Sequence, residues 1–284
     1  MSANPYDIIT DRILSKLAEG IVPWHKPWEQ GIPRNVMSKK AYRGVNVFLT
    51  ASAGFASPYW LSFKQCKELK GSVKAGSKGT AVVFWKRLTV PDRDNEDETA
   101  IIPFLRYYTV FNLEQTTGIT VPDEPLKPAF EPIEQCELIV HNMPLRPAIG
   151  HGEARAYYRP RTDSINMPSR QAFDGPEEYY STLFHELTHS TGHGDRMNRH
   201  KDQGADCQFG SPDYSKEELV AEMGAAFLCG VCQIENKTID NSAAYVASWL
   251  KVLKGDPKLV VIAAAQAQRA ADYIQGIHYD DGRA

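Results

Sequence analysis

The 284-residue chain has no apolar run approaching the roughly 20 residues of a membrane span. Its start, Met1-Ser2-Ala3-Asn4-Pro5-Tyr6-Asp7, is not a basic segment followed by an apolar one, the pattern that a secretory leader requires. These absences exclude a helical membrane protein and lead to the expectation of a cytoplasmic protein with no membrane partner. Cysteine is scarce. Five residues, an odd number, fit reduced thiols better than a disulfide framework. Cys229-Gly230-Val231-Cys232 spells C-x-x-C but lies in an apolar helical pattern without a second pair, so it reads as buried thiols. There is no internal repeat and no low-complexity tract. Excess positive charge is also missing: the formal net charge is −3 at pH 7, which by itself argues against a nucleic-acid binder.

The distribution of charge says otherwise. Residues 20–90 hold 12 Lys and Arg against 2 Asp and Glu, whereas the rest of the chain holds 20 against 33. An anion-facing module is thus joined to an acidic one. Its cations include Lys26, Lys39, Lys40, Arg43, Lys74 and Lys78, and aromatics are interleaved with them: Trp24, Trp28, Tyr42, Trp60 and Trp85 among others. Cations that track phosphates, combined with rings that stack on unpaired bases, make a single-strand binding surface. The alternative is a basic surface over an aromatic core, with most rings inside and two or three left as platforms. Trp24 and Trp28 flank Lys26 in Pro23-Trp24-His25-Lys26-Pro27-Trp28, where two prolines disfavour a helix and suit an extended loop displaying rings.

The second half carries His185-Glu186-Leu187-Thr188-His189, an H-E-x-x-H motif. On a helix, His185 and His189 share one face and can bind one metal ion, with Glu186 beside it as the base for a bound water. Pro176, Glu177 and Glu178 mark a helix start, Tyr179, Tyr180, Leu183, Phe184 and Leu187 give apolar helical spacing, and Gly192 a stop. The pattern predicts a helix over about 176–191.

A catalytic metal needs a third protein ligand. Glu218 and Glu222 lie one turn apart on a second apolar helix starting near Lys216. Glu218 is the favoured ligand, with Glu222 orienting a ligand histidine from behind. Asp195, in H-E-x-x-H-x-x-G-x-x-D, and His193 stay as alternatives. Two imidazoles and a carboxylate suit zinc, with manganese or another divalent ion possible.

Further helices are expected over residues 5–20, 60–69, 133–141, 243–253 and 257–274, and strands over 80–88, 101–112, 153–158 and 164–168. Pro91 to Thr99 reads as an acidic hairpin tip and 121–128, rich in proline and charge, as a linker. Arg196 to Tyr214 is polar and irregular, a flap over the metal or a plain loop. The fold class is α+β in two domains: an α+β module over residues 1–128, and a mainly helical domain with a small sheet over 129–284.

With these residues in place, the chain resembles the ArdC-type antirestriction proteins of conjugative plasmids. The marks in the first half are Pro23 to Trp28, Ser38 to Asn46, Trp60 to Gln65 and Val73 to Gly79; in the second, Ile165 to Pro168, Tyr180 to His193 and Glu217 to Leu228. The resemblance implies an N-terminal single-stranded-DNA-binding domain, shared with plasmid primases of the TraC type, and a C-terminal zincin-like metallopeptidase domain. It also implies a role in protecting incoming plasmid DNA from restriction. Two other functions compete: a metalloprotease cleaving an unidentified protein on or near DNA, and a primase-type accessory protein with a non-catalytic metal site.

Overall fold

The computed structural model describes residues 4–24, 32–55, 57–91, 99–120, 132–199, 212–234, 236 and 243–277. The expected linker, residues 92–98 of the acidic hairpin tip, Lys26 and Trp28 fall outside them.

The first half is α+β. Helix α1 (Pro5–Ala18) starts where the Asn4 side chain accepts from the Tyr6 N–H, and it buries Ile9, Ile13 and Leu17 along one stripe. Then follow β1 (Arg34–Asn35), α2 (Val45–Ala51), β2 (Tyr59–Ser62), α3 (Phe63–Glu68), β3 (Ser72–Val73), β4 (Thr80–Pro91), β5 (Thr99–Asn112) and β6 (Thr116–Thr117). The main sheet has the order β1-β2-β5-β4, with β4 and β5 a long antiparallel hairpin. The free edge of β4 meets Asn46 of α2, whose amide donates to the Val83 carbonyl at 2.6 Å and accepts from its N–H at 2.7 Å. The single helix expected over 60–69 is instead strand β2 followed by α3. Ser62 caps α3, accepting from the Gln65 N–H while Gln65 accepts from the Ser62 N–H. Such a reciprocal cap fixes a helix start at Phe63, and Trp60 and Leu61 are buried on opposite faces of the strand.

The second half comprises α4 (Pro132–Asn142), β7 (Ala148–His151), β8 (Tyr157–Arg159), β9 (Ser164–Met167), α5 (Pro176–Ser190), α6 (Pro212–Cys232), α7 (Ala243–Gly255) and α8 (Leu259–Ile274). Its small sheet runs β7-β9-β8. The strand expected over 153–158 is shorter and later, and β7 was not read from the sequence. Buried Ala263, Ala264, Ala267, Ala270 and Ala271 let α8 lie close to α6. Cys66, Cys136, Cys229 and Cys232 are buried free thiols. Among the described residues no helix is long and apolar enough to cross a membrane.

The two halves share one continuous apolar core. Helix α1 packs along α7. Phe48 of α2 stacks on Phe227 of α6, with centroids 4.8 Å apart. Trp24 meets Phe48 and Trp249 of α7 edge-on, at 6.3 and 6.1 Å. At the rim, Arg43 pairs with Asp272 of α8, and Gln268 accepts from the Gly44 N–H at 3.1 Å.

A shared core predicts one cooperative thermal transition for the whole chain. Truncation after residue 128 should leave a fragment without a sharp transition by circular dichroism, because Trp24 and Phe48 lose their partners. Phe227→Ala should cost about 3–5 kcal/mol by denaturant titration, although Phe227 lies far in sequence from the half it supports.

Candidate metal centre and nucleic-acid interface

Helix α5 begins with Pro176, Glu177 and Glu178 in its first turn, and Glu178 reaches back to accept from the Asp174 N–H at 2.7 Å. Its other end is held by two arginines. Arg196 donates to the Ser190 carbonyl at 2.7 Å, and Arg199 donates to the Thr188 carbonyl at 3.0 Å and the Thr191 hydroxyl at 2.6 Å. Carbonyls left over at a helix C-terminus are natural acceptors for guanidinium groups. Both metal-motif histidines lie in this braced last half.

Helix α6 crosses α5 at Gly224. A Cβ there would fall 2.5 Å from Thr188 Cγ2 and 2.6 Å from its Oγ1. Thr188 has little room to yield, because its hydroxyl donates to the Phe184 carbonyl at 2.7 Å. Glu217 lies seven residues before Gly224, two turns back on the same face, and Glu218 is next to it. The close crossing therefore delivers two carboxylates to the histidines.

Nε2 of His185 and Nε2 of His189 are 3.0 Å apart, and the Glu218 carboxylate lies 3.6 Å from the first and 3.4 Å from the second. Ligand atoms on a tetrahedral ion at about 2.0–2.2 Å stand about 3.3–3.6 Å from one another. The donor set thus fits a divalent metal in both chemistry and spacing. Among the described residues this trio is the one cluster of its kind. Asp195 and His193 pair with each other at 3.6 Å instead, with Asp195 exposed.

Glu217, which sequence reasoning did not single out, lies 3.6 Å from Nδ1 of His189, on the far side of the ring from Glu218. Arg199 grips the Glu217 carboxylate at 2.7 and 3.3 Å in a nearly buried ion pair. It is the placement expected of a group that orients a ligand histidine, the role that the sequence reading gave to Glu222. Glu222 is buried one turn beyond Glu218, and its charge acts on His185. The His185 Nδ1 is buried without a hydrogen-bond partner among the described residues. Glu186 is buried beside the trio and outside it.

Burial disfavours the protonated imidazoles, but Glu218, Glu222 and Glu186 together outweigh it at His185, and Glu217, Glu218 and Glu186 together at His189, so both pKa values are raised. Burial likewise disfavours ionised Glu218, but hydrogen bonds from both histidines hold its pKa well below the ordinary range.

The basic half is placed less uniformly. Lys39 and Lys40 are exposed in the turn before Tyr42, with the Lys39 ammonium 5.0 Å from the centroid of the Tyr59 ring. Lys74 and Lys78 are exposed on the segment after β3, with the Lys74 ammonium donating to the Glu114 carbonyl at 2.7 Å. Arg43 is engaged with Asp272. Two expected base-stacking rings are corrected. Trp24 is 0% exposed, packed edge-on with Phe48 and Trp249. Tyr42 is buried too, which pushes its hydroxyl up to about 12. Apolar area of this size is worth more in the core between the halves than on the surface.

Three outcomes follow. Glu218→Ala should lower the bound metal per chain measured by elemental analysis; an unchanged content would remove Glu218 from the ligands. Gly224→Ala should destabilise the fold by roughly 1–3 kcal/mol through overpacking and weaken metal binding, because it pushes α6 away from α5. In metal-free protein the imidazolium contribution to stability is full below the ordinary histidine value of 6.5 and fades as pH rises through the raised values. The Glu218 contribution is full above 4.5 and fades as pH falls through its lowered value. Melting temperature should therefore peak between about 4.5 and 6.5. Added metal, which needs deprotonated imidazoles, should stabilise increasingly above that window.

Two family models divide the chain: the N-terminal domain of anti-restriction factor ArdC matches residues 3–111, and a zincin-like metallopeptidase matches residues 134–266. The crystal structure of the antirestriction ArdC protein from plasmid R388, in its metal-free form, is 36% identical, covers 98% of this chain and 100% of its own, and superposes with a TM-score of 0.79. The Mn(II)-bound form of that protein covers 96% and 98%, with a TM-score of 0.77. An uncharacterized protein of Sinorhizobium fredii is 35% identical over 98% of this chain and 94% of its own length. DNA primase TraC of Escherichia coli is 35% identical over 95% of this chain, which spans 27% of that primase. By sequence and by fold alike, the chain belongs to the ArdC family of antirestriction proteins.

Proposed function

We propose that this protein binds single-stranded DNA through its basic first half, residues 1–128, and protects incoming plasmid DNA from restriction. Residues 129–284 contribute a metal-dependent hydrolytic site. The observation that carries the reading is the trio His185, His189 and Glu218 with Glu186 beside it and outside it, packed into one core with a strongly basic module. The donor set favours zinc; the related R388 protein has been crystallised with Mn(II). Work on newly transferred DNA would place the protein in the cytoplasm.

Each residue then has a task. His185, His189 and Glu218 hold the ion, while Glu217, clamped by Arg199, and Glu222 steady the imidazoles. A bound divalent ion supplies an acidified water and a polarised carbonyl. Glu186 would take the proton from the attacking water and give it to the amine that leaves as the peptide C–N bond breaks. Lys39, Lys40, Lys74 and Lys78 track phosphates, and salt should weaken that contact steeply.

A second reading, proteolysis of a protein on or near DNA, is favoured by the same Glu186, since a merely structural metal site has no use for a buried base. The test is transfer of a restriction-sensitive plasmid into a restricting recipient, comparing wild type with Glu186→Ala at equal abundance and metal content. If hydrolysis carries protection, the variant should lose it while keeping its fold and DNA affinity. Full protection by the variant would assign the function to DNA binding alone.

A further inference from the structure

With Trp24 and Tyr42 in the core, the rings of a single-strand surface must be elsewhere. Among the described residues of the first half, four aromatics are open: Phe63 is 51% exposed, Phe84 47%, Tyr107 44% and Tyr108 47%. Strand register orders three groups on one face. Phe84 lies opposite Arg106, and Tyr108 opposite Val82; alternation then puts Phe84, Arg106 and Tyr108 on the same side of the hairpin. The Phe84 and Tyr108 rings meet edge-to-face with centroids 5.5 Å apart. Nearer the base of the hairpin this face is core, with Thr80, Val82 and Val110 buried. It opens at Phe84 and Tyr108.

Phe63 is open too, but α3 packs through Cys66 on Leu61, which shares the other face of the sheet with Phe111 and Tyr107. Exposed rings beside a cation match an unpaired polyanion with flat bases. A second copy of the chain would bring like charges face to face.

We infer that Phe84 and Tyr108, with Arg106 between them, form the platform on which bases of a single strand stack, with Arg106 on the phosphates. The inference rests on the reading that the first half binds single strands.

The test uses the full-length protein and a labelled oligo-dT of about 20 nucleotides, followed by fluorescence anisotropy across a salt series, with an abasic strand of equal length as the control. Phe84→Leu/Tyr108→Leu should lose roughly tenfold or more in affinity for oligo-dT and keep the wild-type salt slope. It should match wild type on the abasic strand, which has phosphates and no bases to stack. Arg106→Gln should flatten the salt slope by about 0.7. Unchanged melting curves accompany all of these, since leucine keeps the apolar area at exposed sites. Undiminished affinity of the double variant for oligo-dT would overturn the platform and leave single-strand binding standing, as would an equal loss on both strands. So would sedimentation showing a wild-type dimer that the double variant dissociates while DNA affinity is unchanged. Failure of wild type to bind oligo-dT at all would overturn the single-strand reading itself, and the platform with it.

Discussion

The crossing of α5 and α6 at Gly224 and Thr188 is the constraint on which the rest of the site depends. H-E-x-x-H supplies two imidazoles on a single helix, and no single helix can complete the coordination with a carboxylate from the opposite side. That carboxylate has to come from a neighbour, and the distance is decided by whether the two backbones can approach. The absent side chain at Gly224 permits the approach, and Thr188, tied to the Phe184 carbonyl, presents a small and fixed surface to it. Glu217 and Glu218 then reach opposite sides of His189.

Charge is balanced around this crossing. Three carboxylates, Glu186, Glu218 and Glu222, and a fourth, Glu217, gather around two histidines on largely buried helix faces. Unneutralised, such a cluster would cost far more than its packing returns. Arg199 offsets Glu217, the histidines offset Glu218 by binding protons, and a dication takes over when those protons leave. The same carboxylates that would hold a metal thus keep the site assembled without one.

How much of this was legible depends on how local the cause is. The α5 helix and its paired histidines follow from residues four apart, and α6 from a long apolar run with an acidic start, so both could be read directly. So could the β4–β5 hairpin, from alternating apolar runs. Glu218 was readable because its partner at i+4 advertises a face. Glu217 was not, because its importance comes from Arg199, whose position depends on the turn after α5. Trp24 shows the limit differently. A tryptophan among lysines looks the same in sequence whether its ring faces solvent or a second tryptophan more than two hundred residues later, and only the packing of α1 on α7 decides. The open rings Phe84 and Tyr108 were hidden within a strand pattern that reads as core at both ends. The short β2 went unseen because its residues also suit a helix until the Ser62 cap is recognised.

The aromatic seam between the halves bears on how such proteins are inherited. Phe48 against Phe227 and Trp24 against Trp249 make each half the lid of the other's interior. A genetic exchange that replaced one half with an unmatched sequence would leave two tryptophans facing water and two surfaces prone to sticking. The pair can travel as a cassette into a longer chain, and the match with primase TraC, which runs through both halves in a chain several times longer, has that form. Neither half closes its core without the other.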